Sequence, residues 1–284
     1  MLMNIQDNRI RIYEEKWQDG MKDWEGKLPE RMVNDKMEEA FWKKLIKERE
    51  NQEVPDRYAK EIFGALSSMF DAEDHVLEIG PGWGNYTFSL AEQVKKLTVV
   101  DSSRSILEYL KEACQMRQRT NVEFLHHKWE DIKFETDLHY DVVFGMNCFY
   151  RMNKITKALS LINQQAKRLA VIGMTTGPIQ PHYEVLHEKY GYKVKHPRRD
   201  YIDLLQLLYS LGIYANCKML PLTRTYEFSN YEQLLKENTS KILTVDYKLK
   251  DVEKSLSKFV QFKDGKYIYD HHFHAAIISW CPKH

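Results

Sequence analysis

The sequence predicts an α/β fold, a seven-stranded, mostly parallel, doubly wound sheet with an N-terminal helical cap and an inserted lid. Three observations carry this. From about residue 74, short apolar runs alternate with amphipathic helical stretches. Several of those runs are apolar on both faces, as strands of a parallel sheet covered by helices on both sides must be. Residues 1–70, in contrast, keep a helical spacing of apolar side chains: Ile12, Trp17 and Met21, then Phe41, Leu45 and Ile46, then Ile62, Leu66 and Met69.

The elements follow in order. The runs "HVLEI" (75–79), "KLTVVD" (96–101), "NVEFL" (121–125), "YDVVFG" (140–145) and "RLAVIGM" (168–174) read as five strands, with helices starting near 85, 103 and 153. The stretch 178–199 has no clear strand and reads as an insertion. A helix over 200–211 then leads to "IYANCKMLPL", and after one more helix "HHFHAAIISW" ends the chain. These last two runs complete the sheet as a hairpin-like pair. The expected organisation is a helical cap over 1–70 and a second domain over 71–284 with 178–199 as its lid.

Bulk properties narrow the classes. At 43% apolar and 29% charged residues, the composition is that of a globular protein. No run approaches the roughly 20 apolar residues of a membrane span, and the charged N-terminus lacks the apolar core of a secretory signal. The reading is cytoplasmic. The four cysteines, Cys114, Cys148, Cys217 and Cys281, are too far apart for a paired metal motif. A net charge of +1 removes the general attraction to phosphate backbones, so no general nucleic-acid binding is expected.

The informative stretch is "HVLEIGPGWGNY", residues 75–86, a strand running into three glycines at alternate positions. Bare backbone at the carboxyl end of a strand is where a ligand approaches closely. A dinucleotide fingerprint requires its third glycine where Asn85 stands. The spacing is instead an acid, Glu78, followed by Gly80, Gly82 and Gly84. This pattern resembles the first motif of the class I S-adenosylmethionine-dependent methyltransferases.

The resemblance implies a class I methyltransferase-like fold and S-adenosylmethionine as cofactor. Gly80, Pro81, Gly82, Gly84 and Tyr86 would pass under its methionine and ribose parts, with Glu78 near the ammonium end. Asp101, 23 residues beyond Glu78 at the end of the next strand, would accept both ribose hydroxyls, beside Ser102. In "VEFLHHKWEDIKF", Trp129 falls where a backbone amide meets the adenine, Lys128 replaces the Asp of many relatives, and Glu130 or Asp131 could substitute for it. "YDVVFGMNCFYRM" matches the strand and loop that line the methyl group, which brings in Asn147 and Tyr150. "NCFY" begins with Asn and ends with Tyr like the N-P-P-[YF] signature of methylases acting on planar nitrogens. It lacks both prolines, and reads as the looser loop of small-molecule methyltransferases.

The expected function is therefore methyl transfer to a small-molecule acceptor, with an RNA or protein acceptor, or cofactor binding without catalysis, as alternatives. Tyr150 and His182 are the candidate catalytic groups, His182 because it follows the fifth strand at the ligand-binding end of the sheet. His272 and His274 share a strand face, but no third ligand accompanies them, so no metal is expected. The aromatic residues Tyr13, Trp17, Trp24 and Trp42 either close over the acceptor, form a homodimer contact or pack internally. Trp83 reads as packing against the same helices.

Overall fold

A computed structural model of the chain describes residues 5–48, 54–133, 140–196 and 198–282. Four helices come first, α1 (Ile5–Asp19), α2 (Glu30–Val33), α3 (Asp35–Glu48) and α4 (Arg57–Leu66). Then come β1 (His75–Ile79), α5 (Thr87–Gln93), β2 (Lys96–Asp101), α6 (Arg104–Met116), β3 (Val122–His126), β4 (Tyr140–Met146), α7 (Ile155–Gln165) and β5 (Ala166–Thr176). The chain continues through α8 (Pro181–Tyr190), α9 (Tyr201–Ser210), β6 (Asn216–Phe228), α10 (Tyr231–Glu237), α11 (Leu249–Leu256), β7 (Val260–Lys263) and β8 (Lys266–Trp280).

The strands run in the order β3-β2-β1-β4-β5-β8-β6, with β7 paired to β8. Strands β1 to β5 are mutually parallel, Val76 facing Leu97 on one side and Val142 on the other. The sheet is thus mixed and has eight strands rather than seven. The additional strand is β7, antiparallel to β8 across a two-residue turn. Asp264 (φ 52°) and Gly265 (φ 77°) both occupy the left-handed region, as an Asp-Gly hairpin turn of the primed type requires. The strand hid from the apolar pattern because Gln261, Phe262 and Lys263 are all exposed.

The chain divides into two compact units, the first formed by Met1–Met174, Arg199–Leu220 and Ala276–His284, the second by Thr175–Arg198 and Pro221–Ala275. This division differs from the boundaries drawn on the sequence. The N-terminal helices are part of the first unit. Trp17 and Met21 belong to the same buried cluster as Leu77, Ile79, Val143 and Ile172 from the strands. Trp17 is fully buried, its indole Nε1–H donates to the Met152 carbonyl at 2.9 Å, and the Arg199 guanidinium lies 4.9 Å from its ring. α1 is further tied to α9 by Gln6, which donates to the Ser210 carbonyl, and by the Lys16–Asp203 ion pair at 2.7 Å.

The stretch 178–199 is not a solvated lid. It contains α8, which ends on Gly191 in the left-handed conformation, and contributes Tyr183, Leu186 and Val194 to a second core with Phe228, Leu234, Val252, Leu256 and Tyr269. Among the described residues, no helix is long and apolar enough to cross a membrane.

Because Trp17 combines full burial with a satisfied indole donor, Trp17→Ala is expected to destabilise the first unit by about 3–5 kcal/mol. Denaturant unfolding of the variant measures this directly.

Candidate cofactor site

β1 ends at Ile79, and the glycine loop then borders a cavity of about 220 Å³ in the first unit. Gly82 (φ 56°) sits in the left-handed region, and a Cβ there would clash with nothing, its nearest neighbour being Trp42 Cη2 in ordinary contact at 3.8 Å. Gly84 (φ 88°) has a different role: a Cβ there would stand 2.6 Å from Phe88 Cε2 and 2.8 Å from Leu110 Cδ2. One glycine leaves room for a ligand; the other lets α5 and α6 close beneath the loop.

Two carboxyl groups at the ends of adjacent strands set the electrostatics. Glu78, 1% exposed, accepts from Thr87 Oγ1 at 2.7 Å through Oε2, while Oε1 is buried without a hydrogen-bond partner. Burial lifts its pKa to about 8, and the nearby Asp101 adds to the shift. Asp101 accepts from the Ser103 amide at 2.7 Å, and burial raises its pKa to about 7, with Glu38 and Glu39 contributing. The site therefore concentrates acidic groups that a bound cation would help to ionise.

The third wall comes from α3. Glu38, 3% exposed, accepts from Trp42 Nε1 at 2.9 Å and from the Tyr150 hydroxyl at 2.6 Å, and pairs with Arg31 Nε at 2.9 Å. Its neighbour Glu39 accepts from Ser103 Oγ and from the Ser105 amide at 2.9 Å, at the start of α6. Asp35 pairs with Lys128 at 2.7 Å and with Arg151 at 3.1 Å. One helix thus holds the loops that follow β2, β3 and β4.

Of the residues singled out on the sequence, Gly80, Pro81, Gly82, Tyr86, Asp101, Ser102, Trp129, Glu130, Asn147 and Tyr150 line the cavity. Glu78 and Gly84 are not among the lining residues. The Trp129 indole is spent on packing, donating to the Ala158 carbonyl at 3.0 Å. Burial raises the pKa of Glu130. Asn147 is exposed, has φ 55°, and follows β4 with its amide donating to the Gly173 carbonyl at 2.9 Å.

The two catalytic candidates change roles. Burial, and then the hydrogen bond to Glu38, push the Tyr150 hydroxyl above the ordinary phenol range, so Tyr150 anchors α3 and is no base. His182 lies in the core of the second unit, fully buried, between the Tyr269 hydroxyl at 2.9 Å and the Asn238 carbonyl at 3.2 Å. Burial drives its pKa down to about 3, which leaves a neutral ring with both nitrogens engaged. It does not line the cofactor cavity. His272 shares a hydrogen bond with Thr223, and His274 lies against Gly177.

The sequence reading missed several lining residues, among them Met32, Glu38 and Tyr58 from the N-terminal helices, and Asn85. Asn85, at the position of the absent third glycine, accepts from the Asp56 amide at 2.9 Å and so holds the start of α4. The available signal was the pair Trp42 and Trp83, which meet edge to face at 6.0 Å.

A Rossmann-like sheet with a glycine loop under the cavity and an acid at the end of β2 defines the class I methyltransferase architecture. Residues 76–168, about a third of the chain, match the model of the methyltransferase-domain family, and with its Rossmann-like fold this region is a methyltransferase domain of the class I S-adenosylmethionine-dependent type, whose cofactor is S-adenosylmethionine. It is similar to the ribosomal RNA small subunit methyltransferase A of Malacoplasma penetrans, 31% identical over 110 residues, covering 39% of each chain. The chain thus spans about two fifths of that relative's length. Its fold is similar to that of YcgJ from Bacillus subtilis, TM-score 0.53 at 14% identity, covering 81% of this chain and 100% of that one. A Bacillus halodurans protein gives TM-score 0.54 at 16% identity, covering 79% and 100%.

These comparisons correct one expectation. The curated relatives, matched over 20–39% of this chain, are named as ribosomal RNA methyltransferases, which overturns the exclusion of nucleic-acid partners. Net charge averaged over the chain was the wrong filter, because a local patch suffices to bind phosphate.

The residues present fit the cofactor. On the cavity wall the acids Asp101 and Glu130 suit ribose hydroxyls and an adenine edge, the bare backbone at Gly82 admits a close approach, and the unpartnered Glu78 Oε1 lies behind the glycine loop, where its charge would favour a cationic ligand.

Two outcomes follow. Gly82→Ala should weaken cofactor binding at least tenfold at a stability cost of about 1 kcal/mol for its positive φ, whereas Gly84→Ala, whose Cβ also clashes, should lower the melting temperature further; calorimetric titration and thermal melts separate the two. In the cofactor-free protein, the raised pKa values of Glu78 and Asp101 mean that the folded state binds more protons than the unfolded one. The stability they contribute is complete below about pH 4 and is lost as pH rises through 7 to 8. Melting temperatures across this range should fall more steeply for the wild type than for Glu78→Gln.

Proposed function

We propose that this chain transfers the methyl group of S-adenosylmethionine to a nucleophilic nitrogen of RNA. The observation that carries this reading is the likeness of part of the chain to ribosomal RNA methyltransferases. The loop after β4 shares only its first and last residues, Asn147 and Tyr150, with the signature of methylases of planar nitrogens, and lacks both prolines.

The bound cofactor supplies a methyl group already activated by its cationic sulfur. The chain's own residues then have modest tasks. Asp101 would accept the ribose hydroxyls, Glu78 would favour the ammonium end from behind the glycine loop, and Glu130 would accept from the adenine amino group. Asn147 stands exposed at the cavity, where its side-chain carbonyl would accept from an amino group of the acceptor and orient the nitrogen lone pair along the line of displacement. Transfer would join the methyl carbon to nitrogen and leave the carbon–sulfur pair on sulfur, and the surplus proton on nitrogen would pass to water. No strong base is required, which agrees with the engagement of Tyr150 by Glu38 and of His182 by Tyr269.

Incubation with cofactor labelled in the methyl group should place label in RNA, and label appearing only in small molecules would overturn the acceptor. Asp101→Ala removes a charge-assisted contact worth roughly 1.5–3 kcal/mol, so cofactor affinity should fall about ten- to a hundredfold in a folded variant. Calorimetric titration reads this independently of the acceptor.

A further inference from the structure

Three cations converge in the second unit. Lys241, half-buried after α10, donates from Nζ to Gln180 Oε1 at 2.6 Å, and its ammonium lies 5.4 Å from the centre of the Tyr183 ring. Lys195 belongs to the segment that crosses it: its amide donates to the Lys241 carbonyl at 2.8 Å, beside the bridge between Val194 and Ile242. Arg224 on β6 carries its guanidinium 4.8 Å from the Tyr226 ring. Lys195 and Arg224 are exposed.

Lys195 and Arg224 are each near enough to act on Lys241. After burial, Lys195 and Arg224 are the influences that lower the pKa of Lys241. His271 on β8, which shares a hydrogen bond with the Pro178 carbonyl at 2.8 Å, is also depressed by burial, with Lys241, His272 and Arg224 contributing. Like charges held together at a protein surface are relieved when an anion binds. The near neutrality of the whole chain conceals this, because the second unit's two segments carry thirteen Lys and Arg against ten Asp and Glu.

We propose that Lys195, Arg224 and Lys241 form a docking site for the phosphate backbone of RNA, an inference that rests on the RNA reading above. An arginine fork grips phosphate oxygens in two parallel hydrogen bonds, two ammonium groups add point charges, and the rings of Tyr183 and Tyr226 hold the cations in place. The site has no part in the cofactor cavity, so it sets acceptor affinity and leaves cofactor affinity alone.

The experiment is the binding of a fluorescein-labelled RNA hairpin to the full chain, followed by anisotropy over a series of salt concentrations. Replacing all three residues by Gln should lower the slope of log affinity against log salt by about 2 to 3, and weaken binding roughly tenfold or more. Lys195→Gln with Arg224→Gln, both on exposed positions, gives a partial loss should the triple variant fail to fold. Lys263→Gln, the same charge change on β7, should leave the slope as it is. An unchanged slope in the folded triple or double variant overturns the proposal and leaves methyl transfer to RNA standing. Failure of the wild type to bind the hairpin overturns both. Binding that depends on the three cations, with no label transferred to RNA, supports the docking site and removes RNA as the acceptor.

Discussion

Glu38 carries a carboxylate into the interior, where an ion without partners costs several kcal/mol. The donors around it come from α2, from its own helix and from the loop after β4: Arg31, Trp42 and Tyr150. Because Tyr150 stands 112 positions away, satisfying this one group draws the N-terminal helices onto the sheet. Asp35 and Glu39, on the same helix, repeat the logic at the loops after β3 and β4 and at the start of α6. The cleft is shaped by polar contacts around its rim, and the apolar burial of Trp17 sets where the N-terminal chain enters.

The same low-dielectric setting explains why the acids beneath the cofactor are useful. Burial withholds charge from Glu78 and Asp101 in the cofactor-free protein. A cationic ligand would supply the missing counter-charge, so that binding and ionisation reinforce each other. The site is fixed by strand ends and helix starts, which move little, and the ligand meets groups already in place.

The first five strands and the glycine loop were legible because their information is local. A parallel strand buried on both faces writes itself as an apolar run, and a backbone that must pass close to a ligand writes itself as glycine. Glu38 was not legible: a carboxylate on a charged helix looks solvated until its distant donors are known. His182 follows β5 as the ligand-site rule requires, yet the chain there enters a unit with its own core, and the imidazole is consumed by Tyr269 and Asn238. β7 carries its signal in the Asp264–Gly265 turn and not in its exposed side chains. The basic cluster was invisible to net charge because acidic residues elsewhere cancel it in the average.

Three strands, β5, β6 and β8, each begin in one unit and end in the other. β8 reaches the first unit only with its last residues, 276–280, and in the sheet it stands between β5 and β6. During synthesis, β5 therefore waits with one edge unpaired until all of 221–275 has emerged, a span in which an apolar edge is open to intermolecular pairing. The order of the chain makes its final strand the closing step of assembly.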